Sequence, residues 1–153
     1  MPHFGGRLRR HDGGNVMIEF ALILPVLCLM MVGMFDLGNF GLQKSAMLQG
    51  AREGAQYGIL APADSANINT TAQNATGLSG VTATNRLFYE CTSGVSVPSG
   101  TVCSGNTPLK TYLTVTVTKA FSSVLAAGGA NFGSFGRWTA PTSVSASITM
   151  ICP

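Results

Sequence analysis

The sequence predicts an α+β protein in which a long N-terminal helix, transmembrane in its first half, packs on a small antiparallel sheet of about three strands. Three observations carry this. Between Val16 and Phe35 the only charged residue is Glu19. Helical spacing of Leu42, Ala46, Gln49 and Glu53 then continues to Ile59 with no proline after Pro25 to stop it. Beyond the helix, three runs alternate apolar and polar residues with a period of two. A chain of 153 residues, 10% of them charged, holds one span and one small domain. The expected divisions are a basic leader at 1–14, a transmembrane helix at 15–36, an exported stem at 37–60 and a periplasmic or extracellular α+β domain at 61–153.

The leader carries Arg7, Arg9 and Arg10, and its Pro2, Gly5, Gly6, Gly13 and Gly14 oppose any stable fold. After it, the 20 residues from Val16 to Phe35 reach about 30 Å at 1.5 Å each, the thickness of a bilayer's hydrocarbon core. Past the span Asp36 precedes the first basic residue, Lys44. The positive-inside rule therefore keeps the N-terminus in the cytoplasm and exports the rest. A cleaved secretory signal also starts basic and apolar, but this run is longer than a signal's. Gly33-Met34-Phe35-Asp36 offers no small-x-small cleavage site either. Pro25 removes one backbone donor and bends the span without ending it.

Glu19 is hard to explain as plain anchoring. An ionised carboxylate at mid-bilayer costs on the order of 3 kcal/mol, less near the interface, so a partner is required. Asn15, four residues earlier, shares its helix face, and the partner charge can also come from a neighbouring molecule.

The short basic leader, Gly14, and Glu19 as the fifth residue after it form a pattern that resembles the type IV pilin-like class III signal. With Glu19-Phe20 followed by Ala21-Leu22-Ile23-Leu24-Pro25, the stretch is most similar to the TadE-like pseudopilins of the tight-adherence (Tad/Flp) pilus system. The resemblance implies that an inner-membrane prepilin peptidase cuts after Gly14, so that Asn15 becomes the new N-terminus. It implies that Glu19 is the assembly carboxylate, neutralising a subunit's N-terminal amine and setting register, with Phe20 beside it. The major Flp pilin of such systems carries Glu-Tyr and a very short mature chain. Phe20 and the sizeable domain here favour a minor component instead. The partners implied are the prepilin peptidase, other pilin or pseudopilin subunits, the Tad inner-membrane assembly platform and membrane lipid.

In the stem, Ala46, Gly50, Gly54 and Gly58 recur every fourth residue. In water an interior glycine costs roughly 1 kcal/mol relative to alanine, so such a stripe predicts close approach of another backbone. It either receives this chain's own sheet or contacts another subunit. Pro62 ends the stem. A second helix is expected from Ser65 as N-cap through Ile68, Ala72 and Ala75, closing at Gly77.

The alternating runs are Val81–Cys91, Leu109–Thr118 and Ser143–Cys152, each reading as a strand half-buried on one side. The segment from Ala120 to Pro141 reads as a glycine-rich loop carrying Phe132, Phe135 and Trp138, which cover the core's open edge or meet a partner. Cys28 is a small apolar filler in the span, leaving Cys91, Cys103 and Cys152 for an oxidising compartment. Three single pairings are open. The polar interval punctuated by Gly94, Pro98 and Gly100 favours Cys91 with Cys103.

The composition argues against chemistry. Both histidines, His3 and His11, lie in the leader, and Glu19, Asp36, Glu53, Asp64 and Glu90 are scattered. No nucleophile elbow, phosphate loop or metal-ligand spacing is present in the sequence. Neither a catalytic residue nor a metal or cofactor is expected. A net charge of +3, with three arginines in the leader, leaves no basic patch for nucleic acid. The function expected is that of a minor pseudopilin in assembly or initiation of an adhesive pilus. The rival is a permanently anchored periplasmic scaffold or binding module, neither cleaved nor polymerised.

Overall fold

A computed structural model describes residues 13–92, 94–124 and 141–152; residues 1–12 of the expected leader, 1–14, and the aromatic cluster Phe132, Phe135 and Trp138 lie outside the described residues, while Gly13 and Gly14, expected to oppose a stable fold, open helix α1. Helix α1 covers Gly13–Leu60, and the chain divides into two units, Met1–Phe35 and Asp36–Pro153.

In the first unit, the side chains from Val16 to Phe35 are exposed apart from half-buried Gly33. Its most apolar window of 18 residues has a mean hydropathy of 2.5. An apolar helix satisfies its own backbone and can leave its side chains for lipid. This is a helix long and apolar enough to cross a membrane, as in a single-pass membrane protein.

In the second unit, α1 from Asp36 onward and α2, Ser65–Ala75, pack on one face of an antiparallel sheet. Its strands are β1 Val81–Thr92, β2 Val95–Val97, β3 Lys110–Ala120 and β4 Ser143–Cys152, in the order β2-β1-β3-β4. The core follows from two periods. Met47, Ala51 and Ala55 recur every fourth residue on α1 and are fully buried, as are Ile68 and Ala72 on α2. Against them stand Leu113, Val115 and Val117 of β3, with Ala83 of β1 and Val144 and Ala146 of β4. The α+β class is as expected, and the alternation of the three long strands correctly assigns their inner faces.

The sheet has a fourth strand that the sequence did not announce. At three residues, β2 is too short to display a period. It turns back at Gly94, whose φ of +90° suits glycine and whose N–H donates to Glu90 Oε2 at 3.3 Å. The opposite sheet face is held by its own cross-strand pairs. The hydroxyls of Thr114 and Thr149 lie 2.7 Å apart, and Phe88 stacks on Tyr112 with ring centres 5.3 Å apart. Pairs of this kind contribute roughly 0.2–1 kcal/mol each.

The N-cap of α2 is Asp64 rather than Ser65. Asp64 Oδ1 accepts the Asn67 backbone N–H at 3.2 Å, while Oδ2 accepts Asn67 Nδ2 at 2.7 Å and the Tyr57 hydroxyl at 3.2 Å. A carboxylate with two acceptor oxygens takes three donors at once, which a serine hydroxyl cannot. Ser65 instead donates to Asn85 Oδ1 at 2.8 Å, and Asn85 Nδ2 donates back to the Ser65 carbonyl at 3.1 Å. This explains a polar residue at a core-facing position of β1. At the other end Gly77, at φ +63°, follows the Thr76 cap.

The side-chain and backbone donors of Asn67, with a smaller share from Tyr57, hold the Asp64 carboxyl below its usual value. Burial and the Asp64 charge push the Tyr57 hydroxyl up. A depressed carboxylate adds stability above its unfolded pKa, about 3.9, and loses it as pH falls through the lower folded value. The thermal midpoint of the protein is therefore expected to drop on acidification below about pH 4. Asp64→Asn, which keeps a capping oxygen, should make that drop shallower in circular-dichroism melts; an unchanged slope would count against this cap.

Candidate functional site: the anchor carboxylate and the stem

The first turn of α1 contains Gly14 and Asn15. One turn on, about 6 Å along the axis, Glu19 is exposed between Ile18 and Phe20, themselves 70% and 59% exposed. Glu19 is thus a lone charge on a helix dressed for lipid. Such a residue marks a site of function by default, since lipid solvates it poorly and another molecule can pair with it. Pro25 lies within α1, which continues through it.

The small-residue stripe of the stem is occupied by this chain itself. A Cβ at Gly50 would lie 2.5 Å from the Ala72 carbonyl oxygen, and one at Gly54 would lie 2.6 Å from the Ala72 Cβ. At Gly58 the neighbour is Leu113 Cδ2, 2.0 Å from such a Cβ. Two of the three glycines therefore admit α2 and the third admits β3, so the stripe meets a second helix before it meets the sheet. Ala46, at the start of the stripe, is half-buried. Arg52 and Glu53 face outward.

Cys91 and Cys103 form a disulfide with their Cα atoms 5.4 Å apart, tying the segment that follows β2 back to the end of β1. Cys152 is a buried free thiol whose Sγ lies 3.9 Å from the Gly58 carbonyl oxygen. Burial pushes its pKa up, which keeps it protonated and slow to exchange with the disulfide. Cys28 is free and exposed on the apolar helix.

Sequence reasoning missed Asp36. It reads as the first polar residue after a span, yet it is only 7% exposed. Its Oδ2 accepts the Ser123 hydroxyl at 2.5 Å and its Oδ1 the Val124 N–H at 3.0 Å. The partners lie 87 and 88 residues away, beyond the reach of any local pattern. Lys44, two turns further on, donates to the Ser145 carbonyl of β4. It covers part of an edge strand, a common use of lysine.

The sequence and helix define a class: an apolar helix with one exposed carboxylate, continuous in the chain with a stem that carries a disulfide-stapled α+β domain. Residues 14–56 match the family model described as TadE-like protein, so through helix α1 this chain is similar to that family. The match ends before α2 and the sheet. No curated protein and no solved structure matches the chain.

Proposed function

We propose that this chain is a minor pseudopilin that a prepilin peptidase cleaves after Gly14 and that then takes part in assembly or initiation of a Tad/Flp-type adhesive pilus. The observation that carries the reading is the exposed Glu19 on an otherwise uncharged helix from Val16 to Phe35, inside the stretch that matches the TadE-like family model. The N-terminus lies in the cytoplasm, held by the leader arginines, and the sheet lies outside the inner membrane. The chain is a peptidase's substrate and not itself an enzyme.

The mechanism is physical assembly. Cleavage exposes a cationic amine at Asn15, and Glu19 of an adjacent subunit neutralises it. Val16, Ile18, Phe20 and Leu22 exchange lipid contacts for contacts with neighbouring helices or with the assembly platform. A buried ion pair adds little net affinity because both charges lose solvent. Its contribution is register: a mispaired subunit leaves a carboxylate in hydrocarbon, at on the order of 3 kcal/mol.

Glu19→Ala is expected to insert into membranes and to be cleaved as before but to lose incorporation into sheared pili or a co-purified platform by at least about tenfold, given that 1.4 kcal/mol is tenfold. Wild-type incorporation of that variant would remove the proposed role.

A further inference from the structure

Helix α1 opens at Gly13 and not at Asn15. The Gly14–Asn15 bond therefore lies inside the first turn of the helix instead of in an open leader. In an α-helix each carbonyl accepts the N–H one turn further along, so the Gly14 carbonyl, the one that cleavage has to attack, is engaged by the Ile18 N–H. Proteolysis draws on the locally opened population of a folded segment, not on the closed helix. The bond has to be unwound before it is cut.

The residues of that turn make unwinding cheap. Gly13 and Gly14 are adjacent, and glycine is the poorest helix former after proline. The first turn holds no acidic residue to complement the helix dipole. From Val16 to Leu24 there is neither glycine nor proline, so the weak stretch stops where the apolar run begins. Unwinding beyond Val16 would carry unpaired backbone groups into hydrocarbon, where nothing satisfies them. We propose that Gly13 and Gly14 are an unwinding segment that presents the Gly14–Asn15 bond to the peptidase in extended form, with Gly13 a positioning residue that acts through the backbone conformation of that bond. The inference rests on cleavage after Gly14 and deepens it, because it makes an end of α1 melted as far as Asn15 the true substrate. Hydrolysis then adds one water across the bond: the C–N bond breaks, the water oxygen joins the Gly14 carbonyl carbon to give a carboxylate, and the protons leave Asn15 with an ammonium. The apparent affinity of the peptidase is reduced by the fraction of chains that are unwound, so each change in helix propensity at position 13 passes into kcat/KM.

The test uses the full chain in phosphatidylcholine–phosphatidylglycerol vesicles with a purified prepilin peptidase. Initial cleavage rates below saturation are read by intact mass for the wild type, Gly13→Ala and Gly13→Val, with Gly14 left in place. Side-chain size rises from glycine through alanine to valine, whereas helix propensity is highest for alanine, lower for valine and lowest for glycine. A tight peptidase pocket and an unwinding step therefore order the variants differently. Expected is cleavage of Gly13→Ala about fivefold slower than wild type, the ratio that corresponds to ~1 kcal/mol of helix propensity, and of Gly13→Val roughly two- to threefold faster than Gly13→Ala. Hydrogen exchange at the Ile18 amide should slow in Gly13→Ala by a similar factor, with exchange at Ala51 of the stem unchanged. If the wild type is cut to start at Asn15 but Gly13→Ala matches its rate, or Gly13→Val is the slowest, the unwinding segment is wrong and processing stands. If the wild type is not cut at this bond, processing fails and the inference fails with it.

Discussion

Gly50→Ala lowers the melting temperature of the protein, although alanine is the better helix former. In an open helix position the change gains roughly 1 kcal/mol. At position 50 the new methyl would lie 2.5 Å from the Ala72 carbonyl oxygen and 2.5 Å from Thr76 Cγ2. The first of these is backbone of α2, which cannot move aside without shifting the whole helix. Overpacking of this kind costs about 1–3 kcal/mol, so after the propensity gain the net effect is a loss of up to about 2 kcal/mol and a fall in melting temperature of up to about 8 °C. Gly38 and Gly41 supply the control, because a Cβ at either meets nothing within 4 Å. Gly41→Ala should raise the melting temperature by a few degrees, about 1 kcal/mol. Equal responses at positions 50 and 41 would show that α2 does not sit against the stripe.

Asp36→Ala produces the second large effect. The substitution withdraws the acceptor from the Ser123 hydroxyl and the Val124 amide, and Ser123 is only 5% exposed. A hydrogen bond to a charged acceptor contributes about 1.5–3 kcal/mol. The expected total is about 2–4 kcal/mol after relaxation, with faster hydrogen exchange at Val124. Asp36→Asn retains one carbonyl oxygen for the amide and should cost about half as much. Wild-type melting and exchange in Asp36→Ala would mean that these hydrogen bonds do not hold the β3 exit.

Much of this architecture is legible in the residues because it depends on periods. The alternation of Leu113, Val115 and Val117 with threonines announces β3 and its inner face, and the uncharged run around Glu19 announces the span. The i, i+4 spacing of Gly50, Gly54 and Gly58 announces a close approach. It leaves open what approaches, because glycine records only that room is needed, and the answer, α2 and Leu113, depends on how distant segments meet. Local patterns fail where one residue has several competent neighbours. Asp64 and Ser65 are both good caps, and the choice was made by Tyr57 and Asn67, which offer donors to the carboxylate. They fail also for pairings across the chain, such as Asp36 with Ser123. The disulfide lies between these cases: loop composition favours Cys91 with Cys103, and the burial of Cys152 against Gly58 shows why the third cysteine stays out.

The reading of this chain as a processed pseudopilin stands or falls on its N-terminus. The decisive measurement is the N-terminal sequence and intact mass of the protein recovered from membranes of cells with and without the prepilin peptidase. A start at Asn15 that depends on the peptidase is the expected result, with Gly14→Ala blocking it. A chain that still begins at Met1 or Pro2 in the presence of active peptidase would contradict processing and leave a permanent anchor in its place.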